Sequence, residues 1–412
     1  MKWETVQIND VSLGVYDGPH ATPKPSESGP IFLGIKNITE DGHFDFTSVR
    51  HISEEEYPKW TRRVTPKEND IVFSYEATLH RYAIIPEGFV GCLGRRMALI
   101  RTDPDRIHYK FLYYYFFSDE WKKEVNNYII NGATVDRIPI TNFPDFKLIL
   151  PPLPTQRRIA TILSAYDGLI ENNLKRIRLL EEAAQNIYRE WFVHFRFPGH
   201  EQAEFGEDAC PPNGRGVPVG WEVSTFFEKV DIMSGGTPKT SEPSYWDGDI
   251  PFFTPKDASS TDHLYITETQ KKLTEEGLAR CNSKLYPKDT VFITARGTVG
   301  KVRLTMTDMA MNQSCYALKM SNGTSQLFLV GAIHEAVSHL KKTATGGVFD
   351  TIIVDTFKQI PIVIPEIGLI ELYHSTVAPI FKQTECLQNQ NIRLKEARDI
   401  LLPRLMNRTV EV

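Results

Sequence analysis

The chain has 412 residues, more than one hydrophobic core usually serves, so we expect two to four domains. Its formal net charge of −5 argues against a wholly basic nucleic-acid-binding protein, but it does not exclude a local basic face. Five scattered cysteines without Cys-x-x-Cys spacing predict free thiols in a reducing compartment. The sequence has no apolar leader and no apolar run of 18 residues, so we expect a cytoplasmic protein without a membrane span.

Short apolar runs bounded by Gly, Pro and Asp predict β-strands in two globular domains. Longer patterns predict two helices, and the first opens with the aromatic run YKFLYYYFFSDEW, which indicates burial. This mixture indicates an α/β (α+β) fold with mixed sheets. The predicted domains are residues 1–150 and 221–365, the strands are 70–74, 84–85, 97–100, 291–294 and 361–364, and the helices are 109–130 and 324–342.

Residues 151–197 follow the first globular domain and are predicted to form a long helix. Apolar residues recur at alternating spacings of four and three, which is the period of a coiled-coil seam. Pro151 and Pro152 end any preceding strand, and Thr155 is the predicted N-cap. About 38 helical residues would make a rod of the order of 57 Å. The predicted seam is Ile159, Leu163, Tyr166, Ile170, Ile177, Leu180 and Ile187, with Asn173 as a polar position that sets the register.

Two further segments complete the predicted order of the chain. Residues 198–220 are rich in Gly and Pro and lack periodicity, which predicts a linker. Residues 366–412 repeat the four–three spacing and predict a second rod, whose first turns Pro379 should kink or fray. The two seams are expected to pair with each other, and the long connection permits either direction. The second seam is Val377, Ile380, Leu387, Leu394 and Leu401.

An internal repeat of about 220 residues relates the two halves of the chain. The order is therefore globule, rod, globule, rod. The matching segments are Lys2-Trp3-Glu4 with Gly220-Trp221-Glu222, and residues 17–24 with 235–239, 29–37 with 249–257, 66–73 with 287–292, 131–134 with 345–348 and 146–152 with 357–365.

A polar, basic turn occurs in both halves. Residues 295–302, ARGTVGKV, have the wrong spacing for a phosphate-binding G-x-x-x-x-G-K-[ST] loop and lack its final hydroxyl, so we expect no nucleotide site there. The turn instead presents basic and hydroxyl side chains, which are suited to phosphate or base-edge contacts. The alternative is a merely solvated loop. The candidate DNA-binding residues are Arg296, Thr298 and Lys301, and in the first half Thr78 and Arg81.

Other candidate DNA contacts follow predicted strands. Arg, Asn and Gln side chains can pair bidentately with base edges in the major groove. The alternative at these positions is an exposed strand edge. The candidates are Arg95 and Arg96, which follow Gly94 and have Arg101 nearby, then Asn312 and Gln313 of the counterpart segment Asn312-Gln313-Ser314, and Lys36 and Asn37 with their counterparts Lys256 and Asp257.

No catalytic or metal-binding motif is recognisable in the sequence. The eleven His residues show no H-E-x-x-H spacing, so we expect no metal site. There is no G-x-S-x-G, no G-x-G-x-x-G after a strand, and no [DN]-P-P-[YFW] segment of the kind expected in an amino-methylating DNA enzyme. The sequence therefore predicts a protein that is not an enzyme.

Several of these segments, in order and over the whole chain, resemble the specificity (S) subunits of type I restriction–modification systems. The first globular domain departs from the second in lacking its Gly-rich turn, and Thr155 stands where the family usually has Glu. The segments that carry the resemblance are residues 150–154 followed by Gln156, Ile159-Ala160, Leu163 and Asp167, then residues 218–222 leading to 235–238, then 295–301, and finally Arg398 and 401–406.

The resemblance implies that the globules are target recognition domains, each reading one half of a split asymmetric DNA site. It also implies that the rods pair as an antiparallel coiled coil, compatible with half-sites about 34–36 Å apart. The chain would have no activity of its own. Its partners would be double-stranded DNA, two methyltransferase (M) subunits and two restriction (R) subunits, and S-adenosylmethionine, ATP and Mg would bind to those subunits in a system of DNA methylation and phage defence.

Two alternatives belong to other functional classes. One is a coiled-coil scaffold whose globules bind proteins and not DNA. The other is a fused DNA-modifying enzyme, against which the missing cofactor motifs argue. The sequence favours the specificity subunit over both.

Overall fold

The computed structural model describes residues 3–130, 135–210, 215–259, 263–343 and 351–412. The predicted counterparts 131–134 and 345–348 lie outside the described residues. The chain forms two compact units, residues 1–170 with 393–412 and residues 171–392. Cys92, Cys281, Cys315 and Cys386 are free thiols, as predicted, and the side chain of Cys210 lies outside the description.

Within the described residues, the strands of the first half form three sheets. The strands are β1 (Glu4–Gln7), β2 (Ser12–Asp17), β3 (Ser26–Leu33), β4 (Arg50–His51), β5 (Ile71–Ser74), β6 (Tyr82–Ile84), β7 (Gly91–Leu93), β8 (Met97–Thr102) and β9 (Lys147–Leu150). The short helices are α1 (Tyr57–Trp60), α2 (Tyr109–Tyr115) and α3 (Asp119–Asn126). The strand orders are β2-β8-β5-β6, β4-β3-β7 and β1-β9.

The second half follows α4 (Leu153–Tyr188) and a π-helical turn, Arg189–Val193. Its strands are β10 (Phe205–Cys210), β11 (Arg215–Pro218), β12 (Glu222–Thr225), β13 (Val230–Ser234), β14 (Trp246–Phe253), β15 (Tyr265–Ile266), β16 (Lys271–Leu273), β17 (Val291–Thr294), β18 (Val302–Thr305), β19 (Ala310–Met311), β20 (Cys315–Met320) and β21 (Pro361–Ile364). Its helices are α5 (Phe226–Lys229), α6 (Pro255–Ser259), α7 (Glu275–Ala279), α8 (Gln326–Thr343), α9 (Val354–Gln359) and α10 (Ile367–Met406).

The sheets of the second half repeat those of the first. The order β13-β20-β17-β18 matches β2-β8-β5-β6, and β15 extends it by one strand. The order β16-β14-β19 matches β4-β3-β7, and in each case one strand pair is parallel, β14 with β19 and β3 with β7. The first strand of each half pairs with its last, β1 with β9 and β12 with β21. The predicted mixed-sheet α/β (α+β) class is confirmed.

The structure differs from the predicted elements at several points. The single helix predicted at 109–130 is two helices, because the Ser118 hydroxyl accepts from Trp121 N at 3.2 Å and starts α3. The predicted linker contains the β10–β11 hairpin. The helix predicted to start at Thr155 begins at Leu153, and Thr155 is buried within its first turn.

Helix α10 runs without a break through Pro379, although a kink or frayed end was predicted there. A proline inside a helix removes one backbone hydrogen bond and costs about 3 kcal/mol. Val377 and Phe381 are buried on either side of it, at 0% and 6% exposure. Their packing maintains the helix where local propensity alone would not.

The two long helices pair antiparallel within each compact unit. In the first unit, Ile159 joins a core cluster with Leu405, and Asp167 contacts Arg398. In the second unit, Asn173 Nδ2 donates to Asn391 Oδ1 at 2.9 Å, and the rings of Tyr188 and Tyr373 pack 6.0 Å apart. As residue numbers increase along α4, the numbers of the residues contacted on α10 decrease. The two helices therefore pair antiparallel, as expected.

The predicted seam residues all lie away from full solvent exposure. The polar position Asn173 is buried at 5% exposure, where its amide meets Asn391. Ile159, Leu163, Ile170, Ile177, Val377 and Leu387 are buried, and Tyr166, Leu180, Ile187, Ile380, Leu394 and Leu401 are partly buried.

A polar network in the first unit, here called the polar knot, joins α4 to α10 and consists of Asp167, Tyr114, Arg398 and Asp399. Asp167 accepts hydrogen bonds from the Tyr114 hydroxyl and from Arg398 Nη1, the latter at 2.6 Å. The Arg398 side chain is 11% exposed, and Asp399 Oδ1 is its second acceptor, at 2.9 Å. Removing Asp167 would leave a nearly buried guanidinium with one exposed partner.

We expect Asp167→Asn to destabilise the first unit by about 2–3 kcal/mol, because it leaves a buried charge poorly compensated. The matched control is Glu171→Gln, one turn along α4, which removes an exposed pair with Lys175 at 2.7 Å. That control should cost less than about 0.5 kcal/mol. Thermal and urea unfolding would measure both, and equal losses would contradict a structural role for the knot.

Candidate nucleic-acid interface

Three loops of the first half meet at one sheet edge. Because β3 and β7 are parallel, the loops that follow them, residues 34–37 and 94–96, start side by side, and Gly94 N donates to Leu33 O at 2.7 Å. The β5–β6 turn, residues 75–81, joins them through a Tyr75 N to Arg96 O bond of 3.2 Å. We call these three segments the first loop cluster.

The second half builds the same arrangement from different residues. Asn312 N donates to Phe253 O at 3.0 Å, and Ala295 N donates to Ser314 O at 2.7 Å. The second loop cluster is therefore residues 254–257, 295–301 and 312–314. The bonds pair Gly94 with Asn312, Arg95 with Gln313 and Arg96 with Ser314 in the repeat.

The two β-turns share one backbone conformation. Ser74 N donates to Arg81 O and Thr294 N to Lys301 O, each at 3.0 Å. The hydroxyls of Ser74 and Thr294 donate to the carbonyls of Thr78 and Thr298. The turn of the first half is thus closed by the same hydroxyl-to-carbonyl hydrogen bond as the turn of the second half, although it lacks the glycines.

The same turns place two residues at positive φ. In the second half these are Gly297 at 80° and Gly300 at 75°, and in the first half Ala77 at 71° and His80 at 60°. Residues other than glycine pay a steric cost there. The absence of glycines in the first half therefore changes the strain and not the path of the turn.

Asn37 and Asp257 are corrected from DNA contacts to structural residues. Asn37 is 1% exposed: its Oδ1 accepts from Gly34 N at 3.0 Å, and its Nδ2 donates to Asp45 O and Ser48 O, each at 3.1 Å. Asp257 is 2% exposed and accepts from Thr254 N at 2.8 Å. Each side chain closes its own turn, as Asx residues commonly do, and almost none of its surface is accessible.

Their neighbours remain at the surface. Lys36 and Lys256 are exposed. Lys36 Nζ donates to Ser48 Oγ at 3.1 Å, and the residue remains exposed. The lysine, and not the residue after it, is therefore the candidate in both loops.

The loops at 94–96 and 312–314 present base-reading side-chain types. Arg95 is exposed, and Arg96 lies 3.0 Å from Glu76. Asn312 Oδ1 accepts from Ser314 N at 3.1 Å, which stiffens the loop, and Gln313 is exposed. At corresponding positions, the first half thus has an exposed arginine, Arg95, and the second half an exposed glutamine, Gln313.

The turns carry the other predicted candidates. Thr78, Arg296 and Thr298 are exposed, and Lys301 is partly buried. Arg81 Nη2 lies 2.6 Å from Glu40 Oε1, and partial burial lowers its pKa. Thr298 Oγ1 is 2.9 Å from Ser259 Oγ, which ties the turn to α6.

Within the first loop cluster, the Tyr75 side chain contacts the neighbouring loop at residues 94–96. Its hydroxyl donates to Arg95 O at 3.1 Å and so supports the loop that presents this arginine. Burial, with the nearby charges of Asp17 and Glu76, raises the pKa of Tyr75 to about 12. The hydroxyl therefore keeps its proton at neutral pH.

A further loop flanks each cluster, and sequence reasoning treated it only as a marker of the repeat. A Cβ on Gly18 would lie 2.2 Å from Gly94 O, and one on Gly235 would lie 2.3 Å from Asn312 O. The Thr237 hydroxyl donates to Gln313 Oε1. The signal in the sequence was a glycine that precedes a Thr-Pro-Lys segment in both halves.

Arg101 does not belong to the first loop cluster, although it was grouped with Arg95. Its Nε and Nη2 bond to the two carboxylate oxygens of Asp70 at 2.8 and 2.7 Å, at the other end of β8. Within the described residues, no group of three or more His, Cys, Asp or Glu side chains is placed to hold a metal ion. Nor does any described helix combine the length and apolarity needed to cross a membrane.

Comparison with known proteins defines the class of the chain. The model of the type I restriction modification DNA specificity domain matches residues 2–182 and 218–391. The chain therefore belongs to the type I restriction–modification DNA specificity family. Its function is DNA sequence specificity in such a system, and the predicted resemblance is confirmed.

Particular relatives agree with this assignment. The chain is 26% identical over 330 residues to the HindI specificity subunit of Haemophilus influenzae, covering 67% of this chain and 72% of that protein. It is 23% identical over 364 residues to the MjaIX specificity subunit of Methanocaldococcus jannaschii, covering 87% and 81%. The solved S subunit from M. genitalium shares the fold, with a TM-score of 0.53 at 15% identity over 98% of this chain and 96% of that one.

The positive-φ turns predict opposite effects of opposite substitutions. We expect Gly297→Ala to destabilise the chain by about 1 kcal/mol, because a Cβ is strained at that φ. Ala77→Gly should stabilise it by about 0.5 kcal/mol, after the entropy cost of glycine. As a control, Gly168→Ala inside α4 should stabilise by about 0.5–1 kcal/mol. Thermal unfolding would measure the three, and a neutral Gly297→Ala would contradict the turn geometry.

Proposed function

We propose that this chain reads a bipartite, asymmetric DNA sequence, with one half-site contacted by each loop cluster. The observation that carries the proposal is that the two clusters have one backbone geometry and different side chains. Tyr75 N to Arg96 O and Ala295 N to Ser314 O are the same bond in both halves. One scaffold presenting two sets of side chains is suited to reading two different sequences.

The clearest difference lies at Arg95 and its counterpart Gln313. An arginine pairs bidentately with O6 and N7 of guanine, and a glutamine with N6 and N7 of adenine. Both side chains are exposed at loop tips, and Thr237 already orients the Gln313 amide oxygen. We therefore propose Arg95 and Gln313 as base contacts, one for each half-site.

The lysines and the basic residues of the turns are suited to contacts with the DNA backbone, beside the base contacts of Arg95 and Gln313. Lys36 and Lys256 lie on the loop next to these tips, and Arg81, Arg296 and Lys301 lie on the turns. In protein–DNA complexes, contacts to phosphates position the protein, and contacts to base edges specify the sequence. We assign these cations to DNA contacts, with Thr78 and Thr298 as hydroxyl donors beside them. The formal net charge of −5 is compatible with this local concentration.

We further propose that methyltransferase and restriction subunits assemble on this chain and carry out methylation and cleavage. S-adenosylmethionine, ATP and Mg would then bind to those subunits, and the chain itself would be a recognition subunit without catalysis. The names of the relatives, which are specificity subunits of type I restriction enzymes, support this division of labour. A place in the cytoplasm follows, because the DNA and the partners are there.

The test is methylation mapping of DNA from cells that carry the chain with its methyltransferase partner. We expect a split, asymmetric motif with a fixed spacer. Arg95→Ala should relax one half-site only and Gln313→Ala the other, since a bidentate base contact contributes about 1–3 kcal/mol of discrimination. The control is Arg106→Ala, an exposed arginine beyond the far end of β8. A continuous motif, or one variant that alters both half-sites, would contradict the proposal.

A further inference from the structure

A helix covers the outer side of each positive-φ turn. In the second half this helix is α8, whose last turn lies over Gly300. A Cβ on Gly300 would be 2.8 Å from Val337 Cγ1, 3.5 Å from Lys341 Cε and 3.8 Å from Lys341 Nζ. The Lys341 side chain therefore lies against the turn that carries Arg296 and Lys301, while its residue remains exposed.

The first half repeats this arrangement with another helix. There α3 covers His80, the counterpart of Gly300, through a chain of side-chain contacts. Trp121 Nε1 donates to the Tyr82 hydroxyl at 2.9 Å, and the same oxygen lies 3.1 Å from His80 Nδ1. Lys122 follows Trp121 and is exposed. Burial, and then the charge of Lys122, lowers the pKa of His80, which is consistent with a lysine near the turn.

The lysines add to cations that are already present. Partial burial, and then the charge of Lys301, lowers the pKa of Lys341. The acidic neighbour of Lys122 is Asp119, 4.0 Å away, and because 72% of its side chain is exposed it gives little compensation. A phosphate beside such a group of cations would be attracted by all of their charges together.

We propose that Lys122 and Lys341 each bind a backbone phosphate of DNA and thereby fix the turn of their half against the duplex. The proposal rests on the proposed function, because it needs DNA at the loop clusters. The repeat supports it: α3 and α8 lie in corresponding stretches of the two halves, before β9 and before β21, and each carries an exposed lysine on a helix packed by the turn. Neither lysine follows a predicted strand, so the pattern that found the other candidates did not reach them.

A purely structural reading gives a different expectation. Lysines in the last turn of a helix stabilise it through the helix dipole, and Lys341 and Lys342 share the last turn of α8. Lys342 carries the same charge about 100° further round the helix axis. It is therefore a matched control for Lys341, and Lys123 is the matched control for Lys122. The dipole alone would make Lys341 and Lys342 equivalent, and in α3 it would favour Lys123, which lies in the last turn, over Lys122.

The experiment measures DNA binding by the complex of the full chain with its methyltransferase partner. Affinity is measured for two DNA duplexes, one with the mapped motif and one of unrelated sequence, at KCl concentrations from 50 to 200 mM. Each phosphate contact contributes about 0.9 to the slope of log affinity against log salt. Lys341→Gln and Lys122→Gln should each make that slope shallower by about 0.9. The factor by which affinity falls between 50 and 200 mM KCl would then be about threefold smaller than for the unmodified complex. The double variant should reduce the slope by about 1.8, equally for both duplexes.

The controls separate the possible outcomes. Lys342→Gln and Lys123→Gln should leave the slope near that of the unmodified complex, and Lys341→Arg should restore it. The methylated motif should not change in any variant. Equal slopes for Lys341→Gln and Lys342→Gln, or a changed motif, would overturn the phosphate assignment. An unmodified complex that shows no preference for its mapped duplex would contradict the proposed function itself.

Discussion

The parallel pairing of two strands in each half is the constraint on which the candidate interface depends. Strands β3 and β7, and likewise β14 and β19, end at one sheet edge, so the loops that follow them begin side by side. The carbonyls of Leu33 and Phe253 then accept a bond from the neighbouring loop. Because these contacts use backbone atoms, they do not depend on which side chains the loops carry. The side chains that we propose as DNA contacts can therefore differ while the loops keep their place.

The turns show how one path is made from different residues. Gly297 and Gly300 adopt positive φ at little cost, whereas Ala77 and His80 adopt it against a steric penalty. In the first half this penalty is offset by contacts, among them the Ser74 hydroxyl on the turn and the bond between His80 and Tyr82. In the second half, glycines at both positions make such compensation unnecessary. Each turn is also covered by a helix, and the further inference depends on that packing.

Periodicity made the two long helices predictable, because a seam repeats over many turns and every turn adds to the signal. The pairing of Asn173 with Asn391 was not readable, since it depends on the register between the helices. The roles of Asn37 and Asp257 were missed for a related reason: a sequence shows a polar residue after a strand, but not that its side chain bends back onto its own turn. Tertiary packing similarly overrode the local signal of Pro379.

The central claim is that each half reads its own half-site through an independent copy of one fold. The most direct test replaces residues 1–150 with the corresponding domain of a relative of known and different motif. The join falls between the end of β9 at Leu150 and the start of α4 at Leu153, where no sheet pair is cut. Methylation mapping of cells that carry this chimaera should show one half-site exchanged, with the other half-site and the spacer unchanged. A change in both half-sites would contradict the claim.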